Sequence, residues 1–161
     1  GRRSAGWCCA KASHYMADIR ERVLVELENI EGVLKQMPGL EALSTLSPLE
    51  LAGVAALLQS FYNGVENVLK QVVVERGLTF EKGASWHRAL LDLACSAGVI
   101  QASTRDRLDG YLAFRHYFVH GYAFNLRHAR VRPLVEGLSP VYSTFRKEVR
   151  SAVGIPDDEA T

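Results

Sequence analysis

Apolar residues recur at steps of three and four along most of the chain, which is the spacing of amphipathic α-helices. Five such runs are present, and they occupy residues 17–37, 48–76, about 84–97, 104–120 and 126–153. No segment shows the two-residue alternation of a half-buried strand over a useful length, and no Asn-Gly or Asp-Gly hairpin signal occurs. The pattern therefore predicts an all-α protein of about five helices.

Helix start and stop signals support this division of the chain. Ser47 and Glu50 have the spacing of a capping box, in which each side chain bonds the backbone N–H of the other residue. Gly77 is placed to end the second helix, because glycine adopts the left-handed backbone conformation of a C-terminal cap without strain. Ser103 is expected to cap the fourth helix, and Pro133 is expected to kink or restart the fifth.

The length of 161 residues suffices for one globular domain with a single core. We expect residues 16–153 to form that domain, preceded by a leader or added segment over 1–15 and followed by an acidic tail over 154–161. No apolar run approaches the roughly 18 residues of a membrane span. Three cysteines, with no C-x-x-C spacing, are typical of a protein from a reducing cytosol.

Charge is distributed unevenly, although the formal net charge is only +1. Residues 103–150 contain nine basic and four acidic residues, and the rest of the chain is acidic on balance. Such a segment is typical of a nucleic-acid-binding face, and a solvated basic helix is the alternative interpretation. The basic side chains that could guide RNA are Arg127, Arg130, Arg132, Arg146, Lys147 and Arg150.

The most informative stretch covers residues 111–122, at the end of the fourth predicted helix. On a helical wheel, Arg115 lies at the centre of a stripe of aromatic and apolar residues. A guanidinium group does not lose its charge, so its burial requires a carboxylate, an anion or an open cleft. An arginine that reaches past the edge of the core to solvent is the alternative interpretation.

Two histidines follow Arg115 on the same helix. His116 and His120 are four residues apart and therefore share a helix face, but a zinc protease would need glutamate where this chain has Tyr117. His120 directly precedes Gly121, so its imidazole is expected near an accessible helix end. Arginine, histidine and a tyrosine hydroxyl at one helix terminus suit phosphodiester chemistry, because imidazole moves protons near neutral pH and guanidinium holds phosphate oxygens.

These residues carry a resemblance to a known family. Arg115-x4-His120-x-Tyr122 resembles the R-x4-H-x-Y motif of the HepT-like branch of the HEPN superfamily, whose best-known members are toxin ribonucleases of bacterial toxin–antitoxin pairs. Residues 61–70 are similar to the family's aromatic-Asn-x-x-Glu-Asn helix, and residues 114–135 are similar to its C-terminal half. The resemblance covers about residues 17–152 and implies a HEPN-type antiparallel helical bundle.

The resemblance implies a reaction and roles for two residues. Arg115 would orient and neutralise the scissile phosphate, and His120 would transfer a proton. The implied reaction is endonucleolytic cleavage of RNA, with tRNA and mRNA as candidate substrates, in which the RNA's own 2′-hydroxyl is the nucleophile. Such a ribonuclease needs neither a metal ion nor a cofactor.

The resemblance also implies partners and a location. Tyr122 matches the tyrosine that a nucleotidyltransferase antitoxin of the MntA type modifies with AMP, which would silence the toxin. Family members are typically homodimers of the bacterial cytoplasm, with two copies of the motif at one shared cleft and no membrane partner. A homodimer also suits the helix geometry, because Arg115 and His120 lie about 140° apart around a straight helix.

Four further residues are candidates for a supporting role in the cleft. His116 stands where many family members have a polar residue such as asparagine, and we expect it to act as a second base or to tune His120. Asn63, Glu66 and Asn67 are support residues by analogy, with a solvated helix face as the alternative. The alternative function for the whole chain is a non-catalytic helical module that binds a nucleotidyltransferase partner or RNA without cutting it.

Overall fold

Helices dominate the computed structural model, which describes residues 6–121 and 125–157, with side chains from residue 18 onward. The described part contains six helices and no strand, which confirms the predicted all-α class. The helices are α1 (Gly6–Gln36), α2 (Leu40–Leu43), α3 (Pro48–Glu75), α4 (Trp86–Ser96), α5 (Ala102–His120) and α6 (His128–Ala152). None of these helices is both long and apolar enough to cross a membrane.

Helix α3 is the centre of the bundle. It packs against α1, α4, α5 and α6, and its most extensive contact is with α1. Buried residues occur around most of its circumference rather than along one stripe. A helix that is apolar on nearly all sides is buried on nearly all sides, so the composition of α3 accounts for its central position.

The capping box predicted at the start of α3 is confirmed. The backbone N–H of Glu50 donates to Ser47 Oγ at 3.2 Å, and the backbone N–H of Ser47 donates to Glu50 Oε2 at 2.8 Å. These hydrogen bonds to Ser47 lower the pKa of Glu50. The other end of α3 is also as predicted, since Gly77 has a left-handed φ of 70° and Leu78 N donates back to Val73 O at 3.0 Å.

Several predicted helix boundaries differ from those observed. Helix α1 begins at Gly6, well before the predicted start at 17, and the short helix α2 was not anticipated. Ser103 is not a cap, because α5 begins at Ala102 after an N-cap residue, Gln101, whose side chain makes no capping bond. Helix α6 does not restart at Pro133, since it runs without a break through that residue, and proline removes only one backbone donor there.

The chain after α6 remains packed against the bundle. Ile155 contacts the core, and the Arg150 guanidinium donates to the carbonyl oxygen of Pro156. Ordered packing therefore extends past the predicted domain end at 153. Residues 158–161 of the predicted acidic tail lie outside the described residues.

Two glycines of α3 provide a matched test of how closely α1 and α3 pack. A Cβ atom on Gly64 would lie 2.5 Å from Ile30 Cγ1, whereas one on Gly53 would meet nothing within 4 Å. We expect Gly64→Ala to lower the free energy of unfolding by about 1–3 kcal/mol through overpacking. Gly53→Ala should raise it by up to about 1 kcal/mol, because alanine is the better helix former.

Urea denaturation of both variants measures this difference. The two substitutions are chemically identical and lie in the same helix, so helix propensity cancels from their comparison. Equal stability of the two variants would contradict the prediction and would show that α1 moves away from α3 at little cost.

Candidate active site

Arg115 lies five residues before His120, the last residue of α5, and so in the second turn from the end of that helix. From this position its guanidinium group contacts α3 and α4. Its Nε donates to Asn63 Oδ1 of α3 at 3.1 Å, and its Nη1 lies 3.2 Å from His87 Nε2 of α4. The side chain is half-buried. Three helices therefore fix one cationic group, and within the described residues its Nη2 makes no hydrogen bond.

His87 links Arg115 to a buried carboxylate. The His87 Nδ1 atom lies 2.5 Å from Glu66 Oε1, and Glu66 is only 3% exposed. Because a carboxylate only accepts and a guanidinium only donates, His87 donates from Nδ1 and accepts at Nε2. The ring is therefore the neutral Nδ1–H tautomer, and a continuous hydrogen-bonded chain runs from Arg115 through His87 to Glu66.

The three support residues predicted on α3 have different outcomes. Asn63 contacts Arg115 directly and Glu66 contacts it through His87, so a solvated helix face is wrong for both. Asn67 is exposed and takes no part in this network, as that alternative predicted. The network is built from facing positions of α3, α4 and α5; its carboxylate end at Glu66 is buried, and its Arg115 end is only half-buried.

His87 is the site residue that the sequence analysis missed. Its position carries a signal, because Leu90, Leu91 and Ala94 follow at steps of three, four and seven and are buried. A histidine on the buried side of a helix needs a polar partner. Glu66, buried on α3, is that partner, and the pairing depends on how α3 and α4 face each other, which the sequence of either helix does not specify.

Tyr62 lies beside this network. Its ring is buried, and its hydroxyl has no hydrogen-bond partner among the described residues. Burial, with smaller contributions from the Glu66 and Asp109 carboxylates, raises the pKa of Tyr62 well above its usual range. The hydroxyl therefore stays protonated at neutral pH, and the negative charge near Arg115 is that of the carboxylates.

His116 and His120 form a separate pair near the end of α5. Both are exposed, and their ring centroids are 4.6 Å apart, which confirms that they share a helix face. Neither contacts Arg115 in the hydrogen-bond network of the described residues. The structure thus gathers Arg115, Asn63 and Glu66 around His87 and leaves the two histidines on the surface.

Gly121 ends α5 through a close backbone approach. Its N–H donates to Tyr117 O at 2.7 Å, and a Cβ atom at this position would lie 2.6 Å from that same oxygen. Its φ is −96°, so glycine is required here by lack of space rather than by a left-handed backbone. Tyr122, the predicted modification site, lies outside the described residues.

The beginning of α6 places basic side chains near the end of α5. The Arg130 guanidinium lies 4.0 Å from the centre of the Tyr117 ring, a cation–π contact between the two helices. Arg127, Arg130 and Arg132 are exposed, so this part of the predicted basic segment is open to solvent. Cations at such a surface attract polyanions without reading a base sequence.

Fold and site together define an all-α bundle in which α3, α4 and α5 hold one half-buried arginine. A family model described as "HepT-like protein" matches residues 53–153, well over half of the chain. The chain therefore belongs to the HepT-like family of the HEPN superfamily, a family of HEPN-type toxin modules. Searches of curated proteins and of solved structures returned no match.

Proposed function

We propose that this protein is a metal-independent endoribonuclease, the toxin of a toxin–antitoxin pair whose antitoxin is a nucleotidyltransferase of the MntA type. The observation that carries the proposal is the arginine held by Asn63 and His87, five residues before the exposed His120. A guanidinium fixed through two of its nitrogens loses little freedom when it binds phosphate with the third. Membership of the HepT-like family supports the same assignment.

The proposed reaction is an internal transesterification of RNA. The ribose 2′-oxygen attacks the adjacent phosphorus, the O2′–P bond forms and the P–O5′ bond breaks. One proton leaves the 2′-hydroxyl and one is added to the departing 5′-oxygen, which leaves a 2′,3′-cyclic phosphate and a 5′-hydroxyl end. His120 makes one of these proton transfers, and Arg115 stabilises the charge on the non-bridging oxygens.

A homodimer completes the proposed site. Arg115 lies on the side of α5 that faces α3, whereas His120 is exposed at the end of α5. One protomer therefore presents the two side chains in different directions. A two-fold axis beside α5 would bring two copies of the motif to one cleft, where a phosphate contacts arginine from one copy and histidine from the other. The exposed rings of His116 and His120 lie together on the surface that this arrangement uses.

The proposed regulation acts at Tyr122, two residues after His120. Transfer of AMP from a nucleotide to its hydroxyl would form a phosphodiester at the end of α5 and release the remaining phosphates. The added negative charge would compete with RNA phosphate for Arg115, and its bulk would occupy the cleft.

Cleavage of RNA in the absence of divalent metal tests the proposal. Purified protein is incubated with total tRNA and with mRNA in excess EDTA, and fragment ends are analysed for 2′,3′-cyclic phosphate. The matched control carries Arg115→Ala and His120→Ala together and is purified in parallel, which measures any contaminating nuclease. Mass spectrometry of the intact protein establishes beforehand whether Tyr122 carries AMP.

The same experiment separates this function from the second candidate. That candidate is a non-catalytic module that binds a nucleotidyltransferase or RNA, and it is favoured by the engagement of Arg115 with its own chain. Cleavage by the unmodified protein but not by the control supports the ribonuclease. Intact RNA after incubation with protein that mass spectrometry shows to be unmodified contradicts the ribonuclease and favours the binding module.

A further inference from the structure

A pocket of about 370 Å³ lies outside the hydrogen-bond network of Arg115. It is lined by two aromatic and two basic residues, Lys70, Phe80, Lys82 and Trp86. No carboxylate is among these lining residues. The pocket therefore combines apolar ring surface with positive charge, which favours a ligand that is both aromatic and anionic.

The two rings that line this pocket lie side by side and nearly parallel. The centroids of Phe80 and Trp86 are 6.1 Å apart with planes inclined by 24°, and both side chains are half-buried. Lys70 Nζ lies 4.2 Å from the centre of the Trp86 ring. A single cation–π contact over a half-buried ring holds a lysine weakly, so an incoming aromatic group can displace it and leave its ammonium free for a phosphate.

The pocket lies next to the candidate active site, on the other side of Trp86 and His87 from Arg115. The Trp86 and His87 ring centroids are 3.7 Å apart, and His87 contacts Arg115. Because Trp86 contacts His87 and His87 contacts Arg115, a phosphate bound at Arg115 and a base in this pocket can belong to neighbouring nucleotides of one strand. Aromatic rings beside cationic groups are the usual means of holding unpaired bases.

We propose that this pocket binds a base of single-stranded RNA next to the phosphodiester held by Arg115. The base stacks on Phe80 and Trp86, and Lys70 and Lys82 contact the flanking phosphates. This inference rests on the proposed function, because it takes the RNA bound at Arg115 as its ligand. Stacking accepts every base, so the pocket selects unpaired RNA rather than a sequence.

Tryptophan fluorescence tests the proposal without any cleavage. The chain has two tryptophans, and Trp7→Phe leaves Trp86 as the single reporter. The probe is a short 2′-O-methyl oligoribonucleotide, which lacks the nucleophilic hydroxyl and is not cut by the proposed reaction. We expect saturable quenching of Trp86 by this probe and none by an abasic oligonucleotide with the same number of phosphates.

Two substitutions test the pocket without altering His87 or Arg115. Phe80→Leu and Lys82→Ala should each weaken binding of the oligonucleotide, with a loss of about fivefold or more for the aromatic residue. Lys35→Ala is the matched control, because Lys35 is an exposed lysine in the last turn of α1. If Phe80→Leu fails to fold, Lys82→Ala still tests the proposal, because Lys82 is exposed and its replacement leaves the core intact.

The outcomes distinguish this inference from the proposed ribonuclease. Equal quenching by abasic and complete oligonucleotides, or wild-type affinity in both pocket variants, overturns the base-binding proposal. If the protein cleaves RNA but its Trp86 fluorescence is not quenched, the base-binding proposal is overturned and the ribonuclease proposal is not. Base-dependent quenching in protein that mass spectrometry shows to be unmodified and that does not cleave RNA supports base binding in the pocket and overturns the ribonuclease proposal alone.

Discussion

Replacing Arg115 with alanine is expected to lower the rate of RNA cleavage by about 10²- to 10³-fold, the usual loss when one preorganised donor to developing negative charge is removed. The loss should be large because the guanidinium is held in place before substrate binds, by Asn63 at 3.1 Å and His87 at 3.2 Å. Single-turnover cleavage in EDTA measures it. Arg107→Ala, an exposed arginine of the same helix, should leave the rate unchanged.

The effect of replacing His87 on the cleavage rate should depend on whether Arg115 is present. We expect His87→Ala to lower the cleavage rate by up to about 10²-fold, because loss of one contact lets the guanidinium move. In the Arg115→Ala background the same substitution should have little further effect, since the two residues act as a unit. Circular dichroism at the assay temperature checks that each variant is folded, because His87→Ala leaves Glu66 buried without its partner.

Additive losses would contradict this account. If His87→Ala lowered the rate by the same factor with and without Arg115, His87 would act on the substrate independently or through the fold alone. A cleavage rate that did not change in Arg115→Ala would remove arginine from the reaction, and the ribonuclease proposal would then rest on His120 only.

The helices were predictable because their signals are local. Apolar spacing located α3 to within a residue, and the Ser47 capping box fixed its beginning. The start of α1 was not predictable in this way, since residues before Met16 show no apolar period although helix continues back to Gly6. A segment without an amphipathic pattern shows no face for packing, but its backbone can still continue a helix that has already formed.

The site was predictable only in part, because its contacts join residues far apart in sequence. Arg115 stood out as a charge within an apolar stripe, which demanded a polar partner. The identity of that partner depends on how α3, α4 and α5 face one another, and local periodicity does not specify this. A solvated helix face stayed open as the alternative for Glu66 for the same reason, although contact of α3 with four other helices buries it.

Phe61 links α3 and α5, two of the helices that carry the candidate site, through a buried ring contact. Its buried ring in α3 meets the Tyr111 ring of α5 edge-on, with centroids 5.2 Å apart. The Tyr111 hydroxyl donates to Leu134 O of α6 at 2.7 Å. Burial raises the pKa of Tyr111 to about 12, so this hydroxyl keeps its proton at neutral pH and the contact persists.

Phe61→Ala is therefore expected to lower the free energy of unfolding by about 3–5 kcal/mol, as a large buried ring is removed and a cavity remains between α3 and α5. Phe61→Leu should cost much less, since it retains most of the apolar volume. Val25→Ala, at a residue 55% exposed on α1, should change stability by no more than about 0.5 kcal/mol. Urea denaturation measures all three, and a loss below about 1 kcal/mol for Phe61→Ala would show that α3 and α5 close the cavity or do not pack through this ring.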